Sequence, residues 1–112
     1  MVQTQRSIAQ PKSPSIGERV SGLDWPAILS NLDDHGCATT EPLLTANECT
    51  GLVESYDSDQ LFRSRIVMAR HGFGRGEYKY FAYPLPHVVA ALREAFYPAL
   101  AQVANLWNQA LP

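Results

Sequence analysis

Arg65-Ile-Val-Met-Ala-Arg-His-Gly-Phe-Gly-Arg-Gly-Glu-Tyr-Lys-Tyr-Phe-Ala-Tyr83 is the stretch of this 112-residue sequence that reads as paired strands rather than helix. Ile66 and Val67 give Arg65–Arg70 a β-branched centre, which suits a pleated strand because branching at Cβ restricts χ1. Gly72, Gly74 and Gly76 then interrupt the run. In Glu77–Tyr83 the side chains alternate, with Tyr78 and Tyr80 on one face and Lys79, Phe81 and Tyr83 on the other. Strand, glycine loop and strand predict a β-hairpin.

Helical spacing surrounds it. Trp25, Ile28, Leu29 and Leu32 fall at i, i+3, i+4 and i+7, which predicts a helix over about 24–35 that opens near Asp24 and Pro26 and closes at Gly36. Thr45 and Glu48 form a capping box ahead of a second helix, about 46–56, whose face is Ala46, Cys49, Leu52, Val53 and Tyr56. Between them Cys37–Thr40 is β-permissive, and Pro42 limits any strand there to a short or edge one. After Pro84-Leu-Pro86, Val89, Leu92, Ala95 or Phe96, Leu100, Val103, Leu106 and Trp107 recur at three- and four-residue spacing, predicting a long helix with a kink or break near Phe96 and Tyr97 caused by Pro98. The fold class expected is α+β, with helices outweighing one small hairpin. Residues 1–20 mix Gln, Ser, Pro and Lys with almost no apolar periodicity, so they are expected to be a disordered tail, with one domain over 21–112.

Composition narrows the classes. Hydrophobic residues make up 46% and no run reaches the roughly 18 apolar residues of a spanning helix, so a single globular domain outside the membrane is expected. Cys37 and Cys49 have neither a zinc-ligand spacing nor the density of a disulfide scaffold, and the N-terminus lacks a signal-peptide apolar core. A reducing cytoplasm follows as the expected location. Net charge is only −2, but residues 21–60 carry eight acids without Lys or Arg, whereas 61–80 carry five basic residues against Glu77 alone. That basic centre can attract an anion or nucleic acid, or pair with the acidic half of the same chain.

Most catalytic templates fail on the residues. Gly72-Phe-Gly-Arg-Gly76 is not G-x-G-x-x-G and no helix follows directly, so it reads as a hairpin connection rather than a phosphate cradle. His35, His71 and His87 stand far apart, and Asp33-Asp34 reads as a solvated helix face. No catalytic, metal-ligating or cofactor-binding residue is assigned. The one suggestive cluster is Arg63, Arg65, Arg70, Arg75, Tyr78, Lys79 and Tyr80, since cations bind phosphates and tyrosine rings stack on bases. These seven are the candidate substrate-facing residues; the plainer reading is a sheet whose tyrosines pack and whose charges sit in water.

The run Leu61–Pro86, with Asp24-Trp25 and His35-Gly36 before it and Ala104-Asn-Leu-Trp-Asn108 after it, resembles the N-terminal part of a bacterial family of Fe(II)- and 2-oxoglutarate-dependent oxygenases. Members are described as prolyl-hydroxylase-like or as oxygenases of alkylated nucleic acid. The resemblance implies the N-terminal helical support of a double-stranded β-helix dioxygenase, an oxidoreductase performing hydroxylation or oxidative demethylation with Fe(II) and 2-oxoglutarate. The family holds iron with His-x-Asp/Glu and a distal His, which follow the segment seen here, so the chain reads as an incomplete fragment, inactive alone and binding neither cofactor by itself. Its partners would be the absent β-helix portion and a nucleic-acid or protein substrate, and its exposed apolar surface would favour self-association. The alternative is a small nucleic-acid/anion-binding or protein-interaction module using the basic, Tyr-rich segment 63–80.

Overall fold

A computed structural model of the chain describes residues 14–111. It is α+β, with helices α1 (Ile16–Ser21), α2 (Trp25–His35) and α3 (Ala46–Ser55), strands β1 (Phe62–Val67) and β2 (Glu77–Phe81), and helix α4 (His87–Ala110). The strands form one two-stranded antiparallel sheet. Short 3₁₀ turns at Asp59–Leu61 and Met68–His71 flank β1.

Helix α1 corrects the expected tail. Residues 16–21 are helical, capped by Ser15, whose hydroxyl accepts from the Glu18 amide while the Glu18 carboxylate accepts from the Ser15 amide. Ile16 and Val20 lie one turn apart and are 6% and 2% exposed. Two apolar residues plus a capping box suffice once α4 supplies a surface for α1 to pack on. The rest of the expected tail, residues 1–13, lies outside the described residues.

Helix α2 has the expected ends, with Asp24 accepting from the Ala27 amide and Gly36 closing it at φ 75°, a left-handed conformation that suits a residue without Cβ. Its Trp25 ring meets Phe96 of α4 edge-on at 6.0 Å, and the indole N–H donates to the Val20 carbonyl at 2.9 Å. Ile28 is the third buried apolar side chain among the described residues. Residues 37–40 form no strand.

Helix α3 begins at the predicted capping box, but its predicted apolar face is not covered: none of its residues is buried, and Val53 is 74% exposed. Ala46, Cys49 and Gly51 offer little apolar area, and the helix is held instead by a charged tie. Arg19 of α1 grips Glu48 with two parallel bonds of 2.8 and 2.9 Å and also donates to the Leu43 carbonyl at 2.7 Å. Glu48 thereby serves the capping box and the ion pair at once, and its carboxyl is lowered to about 2, first by Arg19 and then by the Thr45 amide.

Of the expected kink or break near Phe96 and Tyr97, the break does not occur: helix α4 is continuous through Pro98. The proline removes one ladder bond, while the packing of α1 and the Trp25–Phe96 contact hold the stretch before Pro98. Farther along, the Trp107 indole donates to Asp33 of α2 at 2.8 Å, tying the ends of the two helices together. No helix of the described residues is long and apolar enough to cross a membrane.

Candidate nucleic-acid interface

The hairpin forms as the alternation requires, but its first strand is displaced. It spans Phe62–Val67 rather than 65–70, because Met68–His71 winds into a 3₁₀ turn that Gly72 ends at φ 73°. The register pairs Ser64 with Tyr80, Arg65 with Lys79, Ile66 with Tyr78 and Val67 with Glu77. A bulge between Phe62 and Ser64 leaves Arg63 unpaired, and a bulge re-aims the side chain at its site. At the loop the Gly72 and Phe73 amides donate to the Ala69 and Met68 carbonyls, so these N–H groups serve the turn rather than a phosphate.

The pairing divides the seven candidate residues between two faces and the loop. One face is closed. There Phe62 and Phe81 stack at 4.9 Å, and Tyr56, at the end of α3, lies 5.8 Å from Phe62. The Lys79 ammonium enters this cluster, 4.0 Å from the Tyr56 ring centroid and 5.1 Å from that of Phe62, and donates to the Tyr56 carbonyl. Its side chain is only 9% exposed, with Asp59 at 3.8 Å. Arg65 shares this face and sits 3.5 Å from Glu77, which also accepts from the Tyr56 hydroxyl at 2.8 Å. Burial first, and then Glu77, raises the Tyr56 phenol above its ordinary value. Lys79 and Arg65 are therefore placed apart from the tyrosine pair, a division that the sign of their charge conceals.

The other face is open. Tyr78 and Tyr80 are 43% and 45% exposed and meet edge to face at 5.5 Å, 83° between ring planes. The Arg63 guanidinium lies over Tyr80, 5.3 Å from the centroid, in cation–π geometry. The nearby Tyr80 hydroxyl, and secondarily burial, raises the Tyr78 phenol. Arg70 and Arg75 are exposed at the loop end. Among the described residues Arg63, Arg70 and Arg75 form no ion pair, whereas Arg65 and Lys79 do. Among the described residues the basic centre is thus neutralised on one face only.

Two further residues, outside the seven candidates, join this region. The Arg93 guanidinium of α4 donates to the Tyr83 hydroxyl at 2.9 Å, and Tyr83 is 70% exposed. Arg93, first through this bond and then through its charge, lowers the Tyr83 phenol, and the charge of Arg63 adds to the effect. Strict alternation had put Tyr83 with Lys79, but β2 ends at Phe81, before a cis Tyr83–Pro84 bond. An Arg one and a half turns into a helix carries no sequence signal of this kind.

Among the described residues no three His, Cys, Asp or Glu side chains converge as metal ligands, and His35, His71 and His87 lie on separate elements. The described residues do not present the two-His, one-carboxylate set that such an iron site needs.

Residues 76–112 match the Oxygenase-NA family model, described as an oxygenase catalysing oxidative methylation of damaged DNA. The matched third of the chain begins at Gly76 and takes in β2, with Tyr78, Lys79 and Tyr80, and α4 with Arg93. Over this stretch the chain is similar to an oxygenase directed at DNA. No curated protein and no solved structure is matched.

Proposed function

We propose that the chain is the N-terminal part of an Fe(II)- and 2-oxoglutarate-dependent oxygenase, cytoplasmic and acting on damaged nucleic acid by hydroxylation or oxidative demethylation. The observation that carries this reading is the family match over β2 and α4. In this role residues 16–111 support a β-helix core supplied by further sequence, with the hairpin at the substrate entrance, and the segment is inactive alone. The side of α4 beside α2 supports the incomplete-domain part of the reading: Leu29 of α2 and Ala99, Val103 and Leu106 of α4 line a largely apolar recess of about 450 Å³. Such surface on an isolated monomer marks a place where further protein packs.

Two measurements test the proposal. The 112-residue chain, given Fe(II), 2-oxoglutarate and a methylated oligonucleotide, is expected to release no succinate; turnover would overturn the incomplete-site argument. The intact mass of the native polypeptide in its source cells is expected to exceed 12.4 kDa, and that longer form to turn over. A native mass of 12.4 kDa would refute the oxygenase role and leave the alternative of a small nucleic-acid/anion-binding or protein-interaction module.

A further inference from the structure

We infer that the open hairpin face, Tyr78, Tyr80 and Arg63, continued by Tyr83 and Arg93, is a binding site for unpaired nucleotides of a single-stranded nucleic acid. The choice of polyanion rests on the reading of a nucleic-acid-directed oxygenase; the surface itself is read from geometry.

Three observations converge. The aromatic rings are held yet available: Tyr78 and Tyr80 project from one side of a paired strand, each a little under half exposed, and Tyr83 is more exposed still. Base–aromatic stacking needs such rings and tolerates any sequence, because every base has a π face. Cations accompany the rings, with Arg63 over Tyr80 and Arg93 on the Tyr83 hydroxyl, and neither is committed to a carboxylate among the described residues. A guanidinium in that position can take a backbone phosphate beside a stacked base.

The acid is segregated as well. Glu77, the one carboxylate of the two strands, points to the closed face and is occupied by Arg65 and Tyr56, so no strand carboxylate opposes a phosphate on the open side.

The form of the platform selects single strands. The two rings stand nearly perpendicular, a step rather than a plane, which splayed bases can follow and paired, stacked bases cannot. A two-stranded ribbon can also enter a major groove, but reading base edges there calls for Arg, Lys, Asn or Gln on the inserted face. This face instead presents Tyr78, Tyr80, Ile66 and Ser64, with one Arg at the bulge.

The test is fluorescence anisotropy of the full chain with a labelled oligothymidylate of about 12 nucleotides, against a duplex of equal length, over a salt series. The single strand is expected to bind at least about tenfold tighter, with a log–log salt slope of about −1.4, from about −0.7 for each of the phosphates that Arg63 and Arg93 neutralise. Tyr80→Ala should weaken binding by about five- to hundredfold, the range of one lost base stack. Tyr80→Phe should stay within about twofold, because the ring remains. Arg63→Gln should reduce the slope by about 0.7. Unchanged amide exchange at Met68, which donates to the Gly76 carbonyl, confirms that each variant keeps its hairpin.

Absence of binding at low salt, equal binding of the duplex, or indifference to Tyr80→Ala would overturn the inference. Turnover does not enter the readout, so the two readings fail separately. Binding by a protein whose longer form never turns over supports the site and sinks the oxygenase, while turnover without this binding does the reverse.

Discussion

Replacing Lys79 by Met separates a structural cation from a ligand-binding one. The four-atom apolar stem is kept and the charge is lost. What disappears is a desolvated cation–π contact at 4.0 Å and a charge-assisted hydrogen bond to the Tyr56 carbonyl, on a side chain 9% exposed. These are worth about 2 and about 1.5 kcal/mol, respectively. Relief from keeping an ammonium out of water offsets part of the loss, leaving about 2 kcal/mol. The amides of Met68 and Ala82 bracket the hairpin, donating to the Gly76 and Leu61 carbonyls at 2.9 and 2.8 Å, and they report its opening. Hydrogen exchange at both should accelerate by about thirtyfold, since 1.4 kcal/mol is a factor of ten. A hairpin that remains mostly closed keeps its open face, so oligonucleotide affinity should change by less than about twofold. Unchanged exchange together with lost oligonucleotide affinity would refute the reasoning and return Lys79 to the ligand.

Three other outcomes follow from the helices. Val20→Ala removes two methyl groups at a position 2% exposed; at about 0.8 kcal/mol per group plus the cavity left behind, it should destabilise the α1–α4 packing by about 2 kcal/mol, read as a lower urea midpoint. The Glu48 carboxyl is depressed to about 2 from an ordinary 4.5, so its stabilising contribution is complete above about pH 4.5 and lost as pH falls toward 2. Trp25 fluorescence should follow that loss, and Glu48→Gln should flatten it. Leu106 and Leu111 are 63% and 68% exposed, so sedimentation should show concentration-dependent self-association that a Leu106→Glu, Leu111→Glu double variant reduces; a monodisperse monomer would refute it.

Local signals carried most of the fold. Asp24 and Gly36 bound α2, Thr45 and Glu48 start α3, and the alternation of Glu77–Phe81 sets its two faces, because caps and pleats are properties of a few adjacent residues. The missed helix α1 owes its order to α4, some seventy residues away, and no window around Ser15–Ser21 contains that partner. Strand β1 slid because β-branching at Ile66 and Val67 marks a strand without marking its ends, which the 3₁₀ turn and Gly72 decide. In the candidate site, residue type located the basic, tyrosine-rich region but could not sort it. Arg65 differs from Arg63 in the Glu77 that the other strand places beside it, Lys79 in the Tyr56 ring over its ammonium, and Arg63 in its place at the bulge.

That sorting gives the closed face a purpose. A two-stranded hairpin alone is marginal in water, and among the described residues this one has no third strand. On its closed side Tyr56, Phe62 and Phe81 surround the Lys79 ammonium, while Glu77 joins Arg65 to the Tyr56 hydroxyl. Such a cluster substitutes for the apolar layer that usually backs a sheet, so the opposite side need not be covered for the strands to stay paired. Because Tyr78, Tyr80 and Arg63 are not needed to bury the hairpin, they are free to remain exposed in fixed positions. An exposed ring held by its strand loses less freedom on stacking than one on a loose chain, and less lost freedom means tighter binding from the same contact. The residues that set the affinity of the open face therefore include some that face away from it.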